Sequence, residues 1–517
     1  MTLPPAIARR VWPALGLLTA AVFLALLARF WHPVYGFTAF YQLDVPDDGA
    51  KIAAFKELPV FVHHDTGGYD GEYYAQIAHD PSLRAPDLGP AMDDFPYRAR
   101  RILAPALAWA AGLGQPRWII HTYAFLNIAV WLALAVLLWR ILAVDSLRGW
   151  VAWAGVLFCA GSMSSVRLAL TDLLALFLIA AAVHAAERWR GRLAVALLAA
   201  SALARETSLL ALAGLWKSPW LSRKNAARLL LAVTPLVAWL AYIRWQVGPG
   251  NPGFGNFTLP VAGLIAKYGE AIAALSTVAD KALAWTTFLA VVGLTAQGAF
   301  FLTHRRLEDR WWRIGLACTI LLLLLGQAVW EGFPGAATRV LLPLQLAFAV
   351  CAHRTRASWT WLVLGNLPVF AGLIVLRDIP RQPNELVAQD LGPTVAIVRF
   401  ETDWHGREED RRRVWLWAAR HGTLTLETLP PASGALELEF GLRSLTPRTV
   451  ILSVDGRELW RGETGEKRTA HRVTLPAGLS RHARLEFSTD TPAVPEGGGG
   501  RALGFALYDP RLTLAKR

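Results

Sequence analysis

Cysteine is scarce in this chain: three residues among 517, at Cys159, Cys318 and Cys351. All three lie inside apolar blocks, and their spacing matches neither a disulfide framework nor a thiolate metal site. Charge is also sparse, at 18% of residues against 54% hydrophobic, which is too apolar for an ordinary soluble protein of this length. Sequence signatures of soluble nucleotide chemistry are missing too. There is no phosphate-cradling loop with its lysine, no zinc-spaced histidine cluster and no dinucleotide fingerprint in a suitable context.

What is present is a series of apolar blocks. Each runs for roughly 15 to 22 residues, the length a helix needs to cross about 30 Å of hydrocarbon. Only helices and closed barrels satisfy their own backbone polar groups in lipid, so the blocks are read as helical spans. Arginine and lysine outnumber acids by 52 to 39, giving a net charge of +13. The excess sits in short connectors, such as Arg188/Arg190/Arg192 and Arg305/Arg306/Arg310/Arg313, as the positive-inside rule expects. That distribution argues against a nucleic-acid-binding face.

The first block, Val11 to Phe30, exceeds a signal peptide's core and lacks a clear small-residue cleavage site, so a retained first helix is expected. With the N-terminus cytoplasmic, an outer loop follows over residues 31–100. Ile102 to Leu113 reads as an amphipathic surface helix, and span two as residues 118–140. Spans three and four form a hairpin with an outer tip at Ser162 to Arg167, and the block 193–216 breaks at Arg205-Glu206 into two short crossings. An outer loop covers 246–282, and later spans cover 226–245, 283–303, 312–330, 337–352 and 358–376.

The expected fold is therefore a polytopic α-helical membrane domain over residues 1–376, with about eleven crossings. A connector over 377–421 carries Trp404, Trp415 and Trp417, placed to pack a sandwich or a membrane interface. Residues 422–517 alternate with period two, as in Leu436-Glu437-Leu438-Glu439-Phe440, and Asp455-Gly456 marks a turn. They predict an all-β sandwich or jelly roll on the periplasmic side, with Gly497 to Gly500 as a loop within it. For Trp460 and Tyr508, core packing outweighs carbohydrate stacking.

Ionisable residues gather at the outer ends of the expected spans: Asp65, Asp70, Glu72, Asp172, Arg205, Glu206, Glu331 and Arg339. Asp70 leads them as a general base, flanked by Tyr69, Tyr73 and Tyr74, with a helix expected to start just after Gly71. An N-capping role for Asp70 is compatible with that chemistry. Glu72 and Asp172 are the further acid candidates. Arg98, Arg100 and Arg101 form an outer basic cluster suited to a lipid phosphate or an anionic headgroup. Arg205-Glu206 reads as an internal ion pair at a helix break, and Arg339 as a phosphate-binding residue.

The pattern Tyr69-Asp70-Gly71-x-Tyr73-Tyr74-x-x-Ile77-Ala78, placed after one span, resembles the acidic motif of the GT-C superfamily of integral-membrane glycosyltransferases. That group includes protein mannosyltransferases, GPI mannosyltransferases and the aminoarabinose transferases of lipid A. Arg205-Glu206 is similar to their Lys/Arg-Glu element, and Arg339 with Pro343 to their late Arg-x-x-x-Pro segment. The resemblance covers residues 11–376. It implies an enzyme of the bacterial inner membrane that takes sugar from a polyprenyl-phosphate donor on the outer face. The acceptor would be a glycan, lipid or protein of the envelope, and Asp70 the base. Dependence on a divalent metal, magnesium or manganese, is left open, because the family's usual paired acids are not evident. The competing readings are a lipid-linked glycan transporter or flippase, and an inert envelope scaffold with a glycan-binding β domain.

Overall fold

A computed structural model describes residues 5–44, 51–63, 66–216, 219, 222–382, 384–410, 413–496 and 500–515. Asp65 and three glycines of the expected 497–500 loop lie outside the described residues. Two compact units emerge. The helical unit comprises residues up to Trp31, Phe37–Ala53 and Phe61–Pro380; the second comprises His32–Gly36, Ala54–Val60 and the chain from Arg381 onward.

Among the described residues, four helices are long and apolar enough to cross a membrane: Arg10–Ala28, Pro116–Leu142, Arg223–Gln246 and Lys281–Thr303. The count becomes five if the bent pair Leu147–Leu157 and Ala160–Arg167 acts as one span. Capping side chains set where several of these helices start. Ser146, Ser222, Asp280 and Asp309 each accept a hydrogen bond from a backbone N–H of the first turn. The outward faces carry large apolar side chains, among them Leu17, Leu18, Leu230 and Leu231. Water would disfavour so much exposed apolar surface, whereas lipid tails accept it.

Three expected segments take another form. Ser162 to Arg167 is no loop tip but part of the buried helix Ala160–Arg167, with Ser162 Oγ donating to the Val156 carbonyl and Ser165 Oγ to that of Gly161. The expected outer loop 246–282 contains the 16-residue helix Ala262–Thr277. The block 312–330 divides into Arg310–Leu324 and a single turn, Gln327–Trp330.

Close helix packing at glycine assembles the region around Asp70. The helix Asp70–Ile77 presses on the turn at Leu168, where a Cβ at Gly71 would collide with the Leu168 carbonyl oxygen. The helix Ala160–Arg167 likewise meets the backbone of Thr338 at Gly161, one residue before Arg339. Asn127 pins the intervening turn by donating to the carbonyls of Ser165 (2.8 Å) and Leu170 (2.7 Å). Tyr123 donates to the carbonyl of Ala169 at 2.9 Å. Asp70, Asp172 and Arg339 are therefore mounted around one turn.

The second unit is a β-sandwich. One sheet runs Glu385–Asp390, Val395–Phe400, His421–Leu429, His482–Ser488, Arg448–Val454 and Arg457–Thr464. The other runs Trp404–Glu409, Val414–Ala418, Phe505–Leu514, Leu436–Ser444 and Thr469–Leu475. Four strands thus occupy the stretch expected as a connector. Along Arg448–Val454 buried and half-buried residues alternate, the period-two signature of one core-facing side. Val454 pairs with Arg457 across Asp455-Gly456, both at positive φ (47° and 81°), as a two-residue hairpin turn requires. Leu426, Leu438, Leu452, Leu485, Phe487 and Leu507 fill the core.

Trp404 lies in that core and donates to the Thr423 carbonyl at 2.9 Å. Trp417 and Tyr508 pack in a second apolar cluster, with Trp415 stacked on Tyr508 at 5.6 Å. Trp460 meets Phe440 edge-on at 5.5 Å. These aromatics pack the sandwich.

Candidate active site

A cavity of about 610 Å³ opens in the helical unit. Five arginines line it, Arg98, Arg100, Arg101, Arg205 and Arg339, together with the carboxylates of Asp70, Glu206 and Glu331. Guanidinium groups therefore outnumber carboxylates in the lining, and the cavity favours an anionic occupant.

Asp70 is the first residue of its helix, with Tyr69 at the capping position, so its side chain is not the cap. Arg98 Nη1 donates to Asp70 Oδ1 at 2.7 Å, and Arg339 Nη1 stands 3.6 Å from Oδ2. Burial pushes the Asp70 carboxyl up, but Arg339, Arg98 and Arg101 together outweigh burial and hold it below its ordinary value. Asp70 is thus anionic at neutral pH.

Arg339 is buried and reaches three groups. Its Nη2 donates to the Tyr69 hydroxyl at 2.8 Å, and its Nη1 lies 3.5 Å from Asp172 Oδ2. Its guanidinium also covers the Tyr69 ring, 5.2 Å from the centroid. Asp172 opens the helix Asp172–Glu187, is almost wholly buried, and takes Arg205 on its other oxygen. It does not line the cavity. The backbone breaks at Arg205, which is extended (φ −158°, ψ 125°) between the helix Gly191–Ala204 and a 3-10 turn from Glu206.

The expected Arg205–Glu206 pair takes other partners: Arg205 binds Asp172, and Glu206 accepts from Arg101 Nε at 3.4 Å. Arg205 Nε is buried without a partner among the described residues. Arg101 Nη1 also donates to the Tyr74 hydroxyl at 2.6 Å. Arg100 Nη2 donates to the backbone carbonyl of Asn251, and its guanidinium covers the Tyr97 ring, 5.1 Å from the centroid.

The motif's other members divide. Tyr69 lines the cavity, whereas Tyr73, Tyr74 and Glu72 do not. Tyr73 lies under Arg98, 4.7 Å from the guanidinium carbon. Glu72 points elsewhere and accepts from the Asp44 N–H at 3.1 Å. Burial lifts its carboxyl to about 7, against the lowering effect of hydrogen bonds from Asp44 and Tyr73. Two site residues escaped the sequence reading. Tyr97 lines the cavity beneath Arg100 and Arg101, and Asp93 grips Arg98 through Nε (2.9 Å) and Nη2 (2.6 Å). The run Asp93-Asp94 before Phe95-Pro96 was the available signal, since Asp94 caps the short helix Phe95–Arg98.

An apolar groove of about 990 Å³ adjoins the cavity. Glu206, Thr207, Phe257 and Leu321 line both, and Leu209, Leu212, Trp216 and Leu316 extend the groove. Among the described residues, no group of three or more His, Cys, Asp or Glu side chains could hold a metal ion.

No protein-family model matches the chain, and no curated protein matches it. Among solved structures it is similar to a mutant of CBM29-2, a family 29 carbohydrate-binding module, with 11% identity and a TM-score of 0.14 over 27% of this chain and 84% of the module. It is also similar to the arabinosyltransferase EmbB from Mycobacterium smegmatis, with 13% identity and a TM-score of 0.22 over 86% of this chain. The chain spans 62% of the length of EmbB. Its functional reading therefore rests on the cavity's own residues.

Proposed function

We propose that the chain is a membrane glycosyltransferase, moving a sugar from a polyprenyl-phosphate donor to an acceptor hydroxyl of the cell envelope on the outer face. One observation carries this reading: an anionic carboxylate, Asp70, stands among five arginines in a cavity that continues into an apolar groove. The arginines suit a phosphate, the groove suits a hydrocarbon chain, and the carboxylate suits the acceptor's proton.

The step is a single displacement. The acceptor hydroxyl gives its proton to Asp70 while its oxygen forms a bond to the anomeric carbon. The bond from that carbon to the phosphate oxygen breaks, and the electron pair leaves with the phosphate. Attack opposite the leaving group inverts the anomeric centre. Arg339, Arg205 and Arg100 stabilise the charge gathering on the phosphate, as preorganised donors do in a water-poor site. Phosphate is a good leaving group without prior protonation, so no separate general acid is required.

The test supplies purified protein with polyprenyl-phosphate-linked sugars and candidate acceptors, beside Asp70→Asn. Transfer by wild type that is lost in a folded Asp70→Asn supports the proposal. Normal transfer by the variant, or movement of the lipid without transfer, refutes it.

A further inference from the structure

We propose that Arg98 is a positioning residue for Asp70 and not a phosphate ligand. In this arrangement Asp93, Arg98 and Asp70 form a carboxylate–guanidinium–carboxylate line that orients the base. The proposal rests on the reading of Asp70 as base.

The partners of the five arginines set Arg98 apart. Its Nε and Nη2 edge, the fork that would grip a phosphate, already holds both oxygens of Asp93, at 2.9 and 2.6 Å. Its Nη1 is committed to Asp70 Oδ1 at 2.7 Å, and the Tyr73 ring covers one face of the guanidinium. A phosphate would have to displace a bidentate carboxylate to reach it. Arg101 is also engaged, by Glu206, Tyr74 and Tyr97, whereas the remaining three are less committed. Arg205 keeps a buried Nε without a partner among the described residues, Arg100 Nη2 binds one carbonyl, and Arg339 stands at 3.5 and 3.6 Å from its two carboxylates, with its 2.8 Å bond going to the neutral Tyr69 hydroxyl.

Asp93 is itself held in place. Its Oδ1 accepts the Asp94 N–H at 2.7 Å, and Asp94 caps the turn that carries Arg98. The line therefore fixes Asp70 Oδ1 and leaves Oδ2 as the oxygen to receive the acceptor's proton. The charged and titratable groups facing Asp70 are Arg98, Arg101 and Arg339, with Asp93, Asp172, Tyr69, Tyr74 and Tyr123 around them. Loss of Arg98 removes a guanidinium in direct contact, so the carboxyl would titrate at higher pH.

The experiment uses the full chain in detergent and two readouts. The first is binding of undecaprenyl monophosphate. The second is the pH titration of the Asp70 carboxyl by infrared difference spectroscopy, assigned with Asp70→Asn. In Arg98→Ala and Asp93→Asn, phosphate affinity should stay within about threefold, while the Asp70 midpoint rises by about one pH unit or more in Arg98→Ala and does not rise in Asp93→Asn, which removes a neighbouring negative charge. Arg98→Lys should restore part of that shift. Arg339→Ala should weaken binding by about tenfold or more, the effect of losing a charge-assisted hydrogen bond.

Binding in Arg98→Ala that weakens as in Arg339→Ala, or an unmoved Asp70 midpoint, overturns the proposal. Transfer assays separate it from the reading beneath it. An active Asp70→Asn refutes the base, whereas an inactive Asp70→Asn with an unmoved midpoint in Arg98→Ala refutes only the positioning line.

Discussion

Gly71 lies against the carbonyl oxygen of Leu168 with no room for a side chain between them. The contact is backbone to backbone, so it cannot relax by a rotamer change, and a Cβ would also stand 3.1 Å from the Tyr41 carbonyl. Asp70 precedes this glycine and moves with it. Gly71→Ala should therefore shift the carboxylate and lower transfer by about a hundredfold, the penalty of a displacement near 1 Å. Stability should fall by about 1–3 kcal/mol from overpacking. Melting curves and initial rates check both, and an alanine variant with full activity removes the positional role given to Gly71.

Much of this region is legible in the sequence, for local reasons. A Tyr-Asp-Gly run followed by Tyr73, Tyr74, Ile77 and Ala78 announces a short helix, and the helix opens at Asp70. A charged dipeptide inside an apolar block announces a break, and the backbone is extended at Arg205. Partner choice is not legible. Arg205 bonds to a residue 33 positions away and Arg339 to residues 167 and 270 away, distances that only packing resolves. Ser162, Ser164 and Ser165 resemble a loop, yet Ser162 and Ser165 satisfy their hydroxyls on nearby carbonyls and permit a buried helix. The strand Trp404–Glu409 is hidden because its half-buried positions after Trp404 are Gly406 and Glu408, so its period-two burial carries no apolar signal.

Glu72 gives a prediction about stability. Burial raises its carboxyl from 4.5 to about 7, so the folded chain binds this proton more tightly than the unfolded chain does. The stabilising contribution is complete below about pH 4.5 and is lost as pH rises through about 7. Glu72→Gln keeps an acceptor for the Asp44 N–H but cannot ionise. Its melting temperature should change less between pH 5 and pH 8 than that of wild type, at about those two values. Equal pH dependence in the two proteins would place Glu72's proton outside the folding equilibrium.

Asp172 is placed to support the site and does not line it. Both of its oxygens are taken by arginines, Arg205 on Oδ1 and Arg339 on Oδ2. Asp172→Asn leaves two buried guanidiniums short of a counter-charge, a change that typically costs about 3–5 kcal/mol. The expected result is poor recovery of folded protein and a lowered melting temperature. A variant that melts like wild type yet transfers no sugar would instead make Asp172 a direct participant in catalysis.

Arg339 joins Asp172 to Asp70, the proposed base. It faces Asp172 Oδ2 and Asp70 Oδ2 and donates to the Tyr69 hydroxyl, while its side chain is nearly sealed from solvent. A planar guanidinium can serve several partners at once, whereas a lysine ammonium is a compact charge with a different reach. Arg339→Lys should keep the charge balance near Asp172, and with it most of the stability, but lose the bond to Tyr69. Its kcat/KM should fall by about 10²–10³, the cost of removing one preorganised donor from a developing charge. Arg339→Ala should fall at least as far and also lose stability, because Asp172 then keeps only Arg205. Tyr69→Phe removes the hydroxyl alone, so it should reproduce part of the lysine variant's defect without loss of folding. If Tyr69→Phe is fully active while Arg339→Lys is not, the defect belongs to phosphate binding and not to the Tyr69 contact. Rates measured across donor concentration distinguish these outcomes, since loss of phosphate binding raises KM and misplacement of the carboxylate lowers kcat.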